Sequence, residues 1–262
     1  MRLTVKLGGS ILEEPDVRAA ILADITALWA EEHELILVHG GGKSLNRRLG
    51  QLGIASRFIG GLRVTDEATL SVAVMVLAGE VNKRLVAELH SLGVSAVGLC
   101  GADGGAVLCE PLAPAGDDLG FVGRPVSVNR PFFELLLGQG LVPVVSSIGL
   151  GPAAQLYNIN ADQAAAACAW GARCAALIYL TDVPGVKGSD GKVLRSLNPG
   201  EIEVLTQSGV LSGGMLPKTR SCLEALDRGV RQVYIMPGVR TGILQSIVRG
   251  AVTEGTCIHA HP

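Results

Sequence analysis

Short apolar runs alternate with longer amphipathic segments along most of this chain, and this alternation constrains the fold more than any other feature. The run LTVKL is followed by the helical pattern DVRAAILADITALWAEE, and further runs such as LILVH, AALIYL and QVYIM adjoin other helical patterns. Strands that alternate with helices require crossover connections and therefore a largely parallel sheet. The pattern predicts an α/β fold, a three-layer αβα sandwich around a mostly parallel central sheet.

Several segments refine this prediction. Residues 66–93 form a continuous amphipathic pattern and are predicted to be one long helix. Segments 54–64 and 119–128 are predicted to be hairpins inserted at sheet edges. A domain boundary is predicted near residues 172–176, which would divide the chain into an N-terminal half, 1–172, and a C-terminal half, 173–262.

Composition narrows the class of function. The 262 residues carry 22 basic and 24 acidic side chains, and only 3% are aromatic. Nucleic-acid binding favours a basic surplus or aromatic stacking platforms, so we expect no nucleic-acid partner. The start MRLTVKLGGS lacks the apolar core of a signal peptide, no apolar run reaches the roughly 18 residues of a membrane span, and the six cysteines form no C-x-x-C pair. We therefore expect a cytoplasmic enzyme with small-molecule substrates and no membrane contact.

Two glycine loops follow predicted strands. Lys6 lies inside the first strand, which ends at Gly8 and Gly9, and LILVH is followed by HGGGKS. The second loop is not a P-loop, because the spacing G-x-x-x-x-G-K-[ST] would require a glycine where Leu37 stands, five residues before Gly42. Glycines between a strand and a helix still bring backbone N–H groups close to an anion. The carboxyl ends of parallel strands share one edge, so both loops are expected at one ligand site.

Two lysines are candidates for that site. Lys6 stands between apolar residues, and Lys218, the last residue of SGGMLPK, is predicted in the first turn of the helix into which this glycine-rich turn leads. Lysines are rarely buried without a partner, and a positive charge in a first helical turn opposes the helix dipole. A strand lysine that reaches the sheet edge and an exposed, solvated lysine are the simpler interpretations. The neighbouring glycine loops favour an anion that both lysines contact.

Polar residues at two helix starts complete the set. Asn158, Asn160 and Asp162 alternate before an alanine-rich helix, which is more than one helix cap requires. Their alternation predicts one shared face toward the cleft, where an aspartate can orient two lysines by ion pairing. Arg63, in GLRVTD, has the fork that binds carboxylates, although a surface arginine is an equally good interpretation of this residue alone.

Together these motifs resemble those of the amino acid kinase family. KLGGS, HGGG, GGLRVTD, VLAGEVNKRLV, NINADQAA, TDVPGV and SGGMLPK occur in that family's order and near its spacing, from about residue 3 to residue 258. The resemblance implies the amino acid kinase fold, with an N-terminal half for the acylated amino acid and the dimer interface and a C-terminal half for the nucleotide. GLRVTD, NINAD and SGGMLPK narrow it to members that use ATP to phosphorylate the side-chain carboxylate of N-acetyl-L-glutamate, the second step of arginine biosynthesis.

The same resemblance implies roles for individual residues. Lys6 and Lys218 would stabilise the transferring phosphoryl group, and Asp162 would hold both lysines. Backbone N–H groups of Gly9, Gly41 and Gly42 would bind the phosphoryl group, Gly41 and Gly42 also the acceptor carboxylate, and Arg63 and Asn158 the α-carboxylate of the substrate. The nucleotide would contact Asp182, Val183, Gly185, Lys187, Leu211, Ser212 and Met215. Mg²⁺ would be held mainly by phosphates and water, so no metal ligand from the protein is expected.

The resemblance also bears on assembly and on rival functions. Members inhibited by arginine carry an extra helix before the first strand, whereas here the first strand begins almost at Met1, so we expect a homodimer built around the long helix and no arginine inhibition. One alternative is a kinase for carrier-protein-linked aminoadipate or glutamate. The other is a catalytically inactive amino acid kinase domain that senses a ligand.

Overall fold

A computed structural model describes residues 1–112, 118–238 and 241–260 and contains a central eight-stranded sheet. The strands in chain order are β1 Arg2–Leu7, β2 Glu34–His39, β3 Phe58–Ile59, β4 Leu62–Arg63, β5 Ala96–Leu99, β6 Val107–Pro111, β7 Val122–Val128, β8 Val142–Ser146, β9 Ile148–Leu150, β10 Leu156–Ile159, β11 Ala176–Thr181, β12 Ser196–Leu197, β13 Gln232–Pro237 and β14 Thr256–His259. The sheet order is β12-β14-β13-β11-β1-β2-β8-β5. All neighbours pair in parallel except β13 and β14, which are antiparallel. The prediction of a mostly parallel central sheet is confirmed.

Helices cover both faces of this sheet. They are α1 Gly9–Glu13, α2 Pro15–Ala30, α3 Gly42–Gln51, α4 Glu67–Ala73, α5 Asn82–Ser91, α6 Arg130–Gly138, α7 Ala161–Gly171, α8 Pro199–Gln207, α9 Met215–Asp227 and α10 Ile243–Val248. In β2, Leu35 and Leu37 join a core with α2, α5 and α10, whereas Ile36 and Val38 join a second core with α6, α7 and α9. Because successive strand side chains point to opposite faces, the apolar run in β2 fills two cores at once. The three-layer αβα architecture is confirmed.

The long predicted helix is present but changes its winding. Helix α4 continues through a π-helical segment, Val74–Val81, into α5 without a break. Asp66 caps its start, since its carboxylate accepts from the Thr69 N–H at 2.8 Å. π-Helical turns inside α-helices are frequent at functional sites. No helix in the described ranges is long and apolar enough to cross a membrane.

A smaller group of strands, β6, β7, β9 and β10, lies beside the main sheet. The hairpin predicted within 54–64 is confirmed by β3 and β4. The hairpin predicted at 119–128 is wrong, because these residues run into the single strand β7. Gly123 and Pro125 suggest a turn by type, yet both lie within this strand. A Cβ on Gly123 would lie 2.7 Å from that of Tyr157, so close packing explains the glycine. The β6–β7 register shifts just before Pro125 pairs with Cys109.

Candidate active site

Three predicted residues from three elements meet at the carboxyl edge of the central strands. Lys6 comes from β1, Asp162 from the first turn of α7 and Lys218 from the first turn of α9. The Lys6 Nζ lies 2.8 Å from Asp162 Oδ1, and the Lys218 Nζ lies 2.7 Å from Oδ2. Each carboxylate oxygen therefore holds one ammonium group, and the two cations are brought together by one anion.

The electrostatics of this triad favour a further negative charge. Lys6 and Lys218 expose only 9% and 8% of their surface. Burial would raise the pKa of Asp162, but the positive charges of Lys6 and Lys218 outweigh it and lower that pKa to about 2. Two ammonium groups facing one carboxylate leave one positive charge without a partner. An anion such as a phosphoryl group would supply the missing negative charge.

Tyr179 of β11 contacts two members of the triad, Asp162 and Lys218. This tyrosine is fully buried, and its register partner across the sheet is Lys6. Its hydroxyl donates to the backbone carbonyl of Asp162 at 3.0 Å, and its ring centroid lies 5.0 Å from the Lys218 Nζ. A ring face stabilises a cation without accepting its N–H groups in a fixed direction. Lys218 thus keeps its charge in a buried setting, and its pKa is lowered mainly by burial, against the opposing effect of Asp162.

The HGGG loop presents unpaired donors beside the triad. The backbone N–H groups of Gly41 and Gly42 have no acceptor among the described residues, and the same is true of Gly9 at the start of α1. Gly41 has φ +156°, a conformation that favours glycine, and a Cβ there would lie 2.7 Å from the Leu77 Cδ2, which would have to shift. A Cβ on Gly42 would meet nothing within 4 Å. The loop therefore packs against the π-helical segment at Gly41 and has free space beside Gly42.

Arg63 is a buried cation without a counter-charge. It is 8% exposed, and no ion pair joins it to an acidic side chain in the described ranges. Instead its guanidinium donates to the Asn46 Oδ1 at 2.6 Å and the Ser56 Oγ at 2.7 Å, and it lies 4.6 Å from the Phe58 ring centroid. Burial lowers its pKa. A buried, oriented and uncompensated guanidinium is suited to a carboxylate from outside the chain.

Four predicted substrate residues line one cleft of about 190 Å³. They are Gly41, Gly42, Arg63 and Asn158. The Asn158 Nδ2 donates to the Thr65 Oγ1 at 3.1 Å, and Thr65 in turn donates to the Arg63 carbonyl. The apolar part of the lining includes Leu62, Leu77 and Val122. Helices α3 and α7 both begin at this cleft, and their positive dipole ends add to its preference for anions.

The predicted nucleotide residues lie at the same edge of the sheet, but several of them are more exposed than the triad. Asp182 and Lys187 follow β11 and are exposed, and Ser212 is exposed in the turn before α9. Met215, half-buried, stands three residues before Lys218 in α9. The remaining residues are turned inward: Leu211 and Gly185 are buried and Val183 is half-buried. Gly185 has φ +140°, and a Cβ there would lie 2.8 Å from the Thr256 Oγ1.

Sequence reasoning missed the residues that hold the site in place. His39 and Asn82 form a buried pair behind the glycine loop, and Tyr179, Asn46 and Ser56 hold the charged groups. His39 and Asn82 do fall inside the motifs HGGG and VNK, so their positions carried a signal. Tyr179 carried none, because its role depends on strand register.

The chain belongs to the amino acid kinase family, whose family model matches residues 1–237. The chain is 47% identical over 260 residues to a protein of Acidobacterium capsulatum, covering 99% of this chain and all of the other, and 43% identical to one of Koribacter versatilis, covering 98% of each. Both relatives are named acetylglutamate kinase. Among solved structures, an N-acetylglutamate synthase from Neisseria gonorrhoeae, complexed with coenzyme A and N-acetyl-glutamate, superposes with a TM-score of 0.87 at 26% identity. That match covers all of this chain and 60% of the synthase.

Proposed function

We propose that this chain is an acetylglutamate kinase, which transfers the γ-phosphoryl group of ATP to the side-chain carboxylate of N-acetyl-L-glutamate in arginine biosynthesis. The products are ADP and N-acetyl-L-glutamyl 5-phosphate. The observation that carries the proposal is the pairing of two buried cation sites: the Lys6–Asp162–Lys218 triad and the uncompensated Arg63 at the adjoining cleft. The name of the two curated relatives agrees with this assignment.

The chemistry follows from what each group offers. The acceptor is already a carboxylate, so an in-line attack on phosphorus needs no general base. Charge develops on the equatorial oxygens of the transferring group, where Lys6 and Lys218 would stabilise it. Asp162 keeps both ammonium groups in position but, being paired to both, takes no proton. The unpaired N–H groups of Gly9, Gly41 and Gly42 add neutral donors to the phosphoryl group, and those of Gly41 and Gly42 also hold the attacking carboxylate.

The rest of the substrate would be held in the cleft. Arg63 would bind the α-carboxylate, and Asn158 would assist by hydrogen bonding. Leu62, Leu77 and Val122 offer an apolar surface on which the methyl of an acetyl group can pack. Free glutamate would instead bring an ammonium group to this surface, where desolvation opposes it.

Magnesium ATP fits this set of residues. Both oxygens of Asp162 are paired to lysines, so the triad favours an anion and offers no free carboxylate to a metal. Mg²⁺ would therefore bind mainly to phosphate oxygens and water, and when bound it would neutralise charge between the β- and γ-phosphates. The C-terminal half, 173–262, would hold the nucleotide through the turn at 182–187 and residues 211–215, and the N-terminal half, 1–172, would hold the acceptor.

We also propose a homodimer built on the long helix. Met75, in its π-helical segment, exposes 57% of its surface. It lies in a groove of about 440 Å³ whose lining includes Leu70, Val74, Phe121 and Leu156. A contiguous apolar groove on a helix is typical of an interface. Light scattering should give twice the 27.1 kDa chain mass, and Met75→Glu should shift it toward one chain mass.

The proposed compartment is the cytoplasm, and the redox state of the cysteines supports it. All six cysteines are free, and four of them are buried. Unpaired cysteines in this number are typical of a reducing compartment.

The function is tested by ADP release with Mg²⁺-ATP and either N-acetyl-L-glutamate or L-glutamate. Turnover with the acetylated substrate only supports the proposal. No turnover with either substrate would contradict it and favour the carrier-linked kinase or the ligand-sensing domain. The carrier-linked kinase is then tested by supplying a carrier-protein-linked aminoadipate.

A ligand-sensing domain is the second candidate, and the likeness to the N-acetylglutamate synthase favours it. Against it stands the complete triad, which a domain without phosphoryl transfer does not need. Calorimetry and the ADP-release assay together separate the two: a sensor would bind N-acetyl-L-glutamate and release no ADP, whereas a kinase would do both.

A further inference from the structure

His39 is a fully buried titratable residue that the proposed mechanism does not use. It ends β2 and begins the HGGG loop. Its Nδ1 lies 2.7 Å from the carbonyl oxygen of Gly40, and its Nε2 lies 3.0 Å from the Asn82 Nδ2. A carbonyl oxygen only accepts hydrogen bonds, so Nδ1 carries the proton and donates to Gly40. Nε2 must then accept from the amide of Asn82.

The orientation of Asn82 is itself fixed. Its Nδ2 also donates to the Val144 carbonyl at 2.8 Å, and its Oδ1 accepts from the Lys83 Nζ at 3.1 Å. Rotating the amide would set its oxygen against one carbonyl and its nitrogen against an ammonium group. The assigned orientation satisfies every group, and it requires a neutral imidazole. Burial lowers the pKa of His39 to about 4, and the positive charges of Arg84 and Lys83 act in the same direction, so the neutral form is held near pH 7.

The hydrogen bond from the His39 Nδ1 to the Gly40 carbonyl fixes the Gly40–Gly41 peptide, which no other group of the loop holds. Gly40, Gly41 and Gly42 have no side chains, and peptides between glycines turn over easily. In a trans peptide the carbonyl oxygen and the following N–H point in opposite directions. With the Gly40 carbonyl directed at the buried imidazole, the Gly41 N–H points away from it, toward the cleft that the loop lines.

We propose that His39 is a positioning residue that holds the Gly40–Gly41 peptide so that the Gly41 N–H faces the transferring phosphoryl group. Asn82, at the end of the π-helical segment, holds His39 in turn. The inference rests on the proposed function and deepens it, since it identifies what keeps one of the phosphoryl-binding donors in place.

Two substitutions separate the two hydrogen bonds of the imidazole. In His39→Asn the side-chain amide nitrogen occupies the place of Nδ1 and still donates to Gly40, whereas the contact with Asn82 is lost. In His39→Gln the amide reaches the place of Nε2 and contacts Asn82, but the donor to Gly40 is lost. His90→Leu is the control, because His90 makes one hydrogen bond, from Nε2 to the Ala96 carbonyl at 3.0 Å, and does not line the cleft.

Steady-state kinetics and crystal structures of all four proteins test the proposal. We expect His39→Gln to lower kcat by about 100-fold, the effect typical of losing one transition-state donor, with KM values within about threefold of wild type. His39→Asn and His90→Leu should retain kcat within about threefold. Crystals of His39→Gln should show the Gly40–Gly41 peptide turned over, and those of His39→Asn should show it unchanged.

A merely structural histidine gives a different result. Both His39 variants would then melt at a lower temperature and lose activity only in proportion to the unfolded fraction. Equal kcat values for the two variants, or an unmoved peptide in His39→Gln, would overturn the proposal. If wild type shows no turnover, the kinase assignment fails, and the peptide orientation still decides whether His39 holds the loop. If His39→Gln does not fold, His39→Leu replaces it, because leucine is also without a donor to the Gly40 carbonyl, and an unchanged kcat there would equally overturn the proposal.

Discussion

The proposed acceptor cleft and the proposed nucleotide region lie at the same sheet edge, but the polar groups of the first are buried and those of the second are exposed. Lys6, Lys218 and Arg63 are nearly buried and held by ion pairs or hydrogen bonds within the protein, whereas Asp182, Lys187 and Ser212 are exposed. Buried charges cost much solvation unless their geometry is fixed. The comparison teaches that groups of the protein itself hold the charged side chains at the proposed phosphoryl-transfer end, while exposed groups at the proposed nucleotide end offer contacts that water also satisfies. Substitutions should therefore have large effects in the first region and small ones in the second.

The largest effect is expected for Lys218→Met, which keeps the length of the side chain and removes its charge. We expect kcat to fall by about 1,000-fold, at the upper end for one transition-state donor, with little change in the KM for N-acetyl-L-glutamate. Steady-state kinetics measure both constants, and circular dichroism checks that the variant is folded. A large rise in KM with kcat preserved would show that Lys218 binds the ground state instead.

Arg63→Lys should act on binding rather than on chemistry. Lysine keeps the charge but cannot make the two bonds to Asn46 and Ser56 and a forked contact with a carboxylate at once. A loss of about 2 kcal/mol of charge-assisted hydrogen bonding corresponds to a KM for N-acetyl-L-glutamate about 30-fold higher. The KM for ATP should be unchanged. A variant that loses kcat and keeps both KM values would contradict the assignment of Arg63 to the α-carboxylate.

The support that Tyr179 gives to Lys218 predicts a shift in pH dependence. Tyr179→Leu removes the ring beneath the ammonium group, whose other charged neighbours are Asp162 and Lys6. The protonated form loses stabilisation, so the pKa of Lys218 should fall further and the alkaline fall of kcat/KM should begin at lower pH. Tyr179→Phe keeps the ring and serves as the control. Identical alkaline limbs in the two variants would rule out this role for the ring.

Acid should weaken the fold through the same triad. The pKa of Asp162 is about 2 in the folded chain, below its ordinary value of 3.8, so between these values the unfolded chain binds more protons. The stabilisation from Asp162 is complete above about pH 4 and is lost as the pH falls toward 2. Urea unfolding across this range should show that the free energy of unfolding falls less steeply with decreasing pH in Asp162→Asn than in wild type. Parallel curves would mean that the triad does not stabilise the fold.

The smallest effect is expected for Lys187→Ala in the nucleotide region. Exposed ion pairs contribute about 1 kcal/mol or less, so the KM for ATP should rise less than about fivefold. Kinetics at varied ATP concentration test this. A rise as large as that of Arg63→Lys would remove the contrast between the two regions.

The sequence predicted the charged and polar residues of the site better than the residues that hold them in place. Alternating patterns predicted the sheet layers, and the glycine loops, lysines and NINAD motif predicted residues that the fold brings together. The segment 119–128 was misassigned because Gly123 and Pro125 are turn residues by type and strand residues only through packing on Tyr157 and Cys109. The contacts of His39 and Tyr179 depend on which strands become neighbours, and the residue patterns along the chain do not reveal that order.

Calorimetric titration of N-acetyl-L-glutamate into the chain without nucleotide tests the central claim most directly. If the acceptor cleft is organised in advance, the substrate should bind to wild type in the absence of ATP and more weakly to Arg63→Lys, while Lys187→Ala should match wild type. Binding that appears only after a nucleotide analogue is added would contradict the claim.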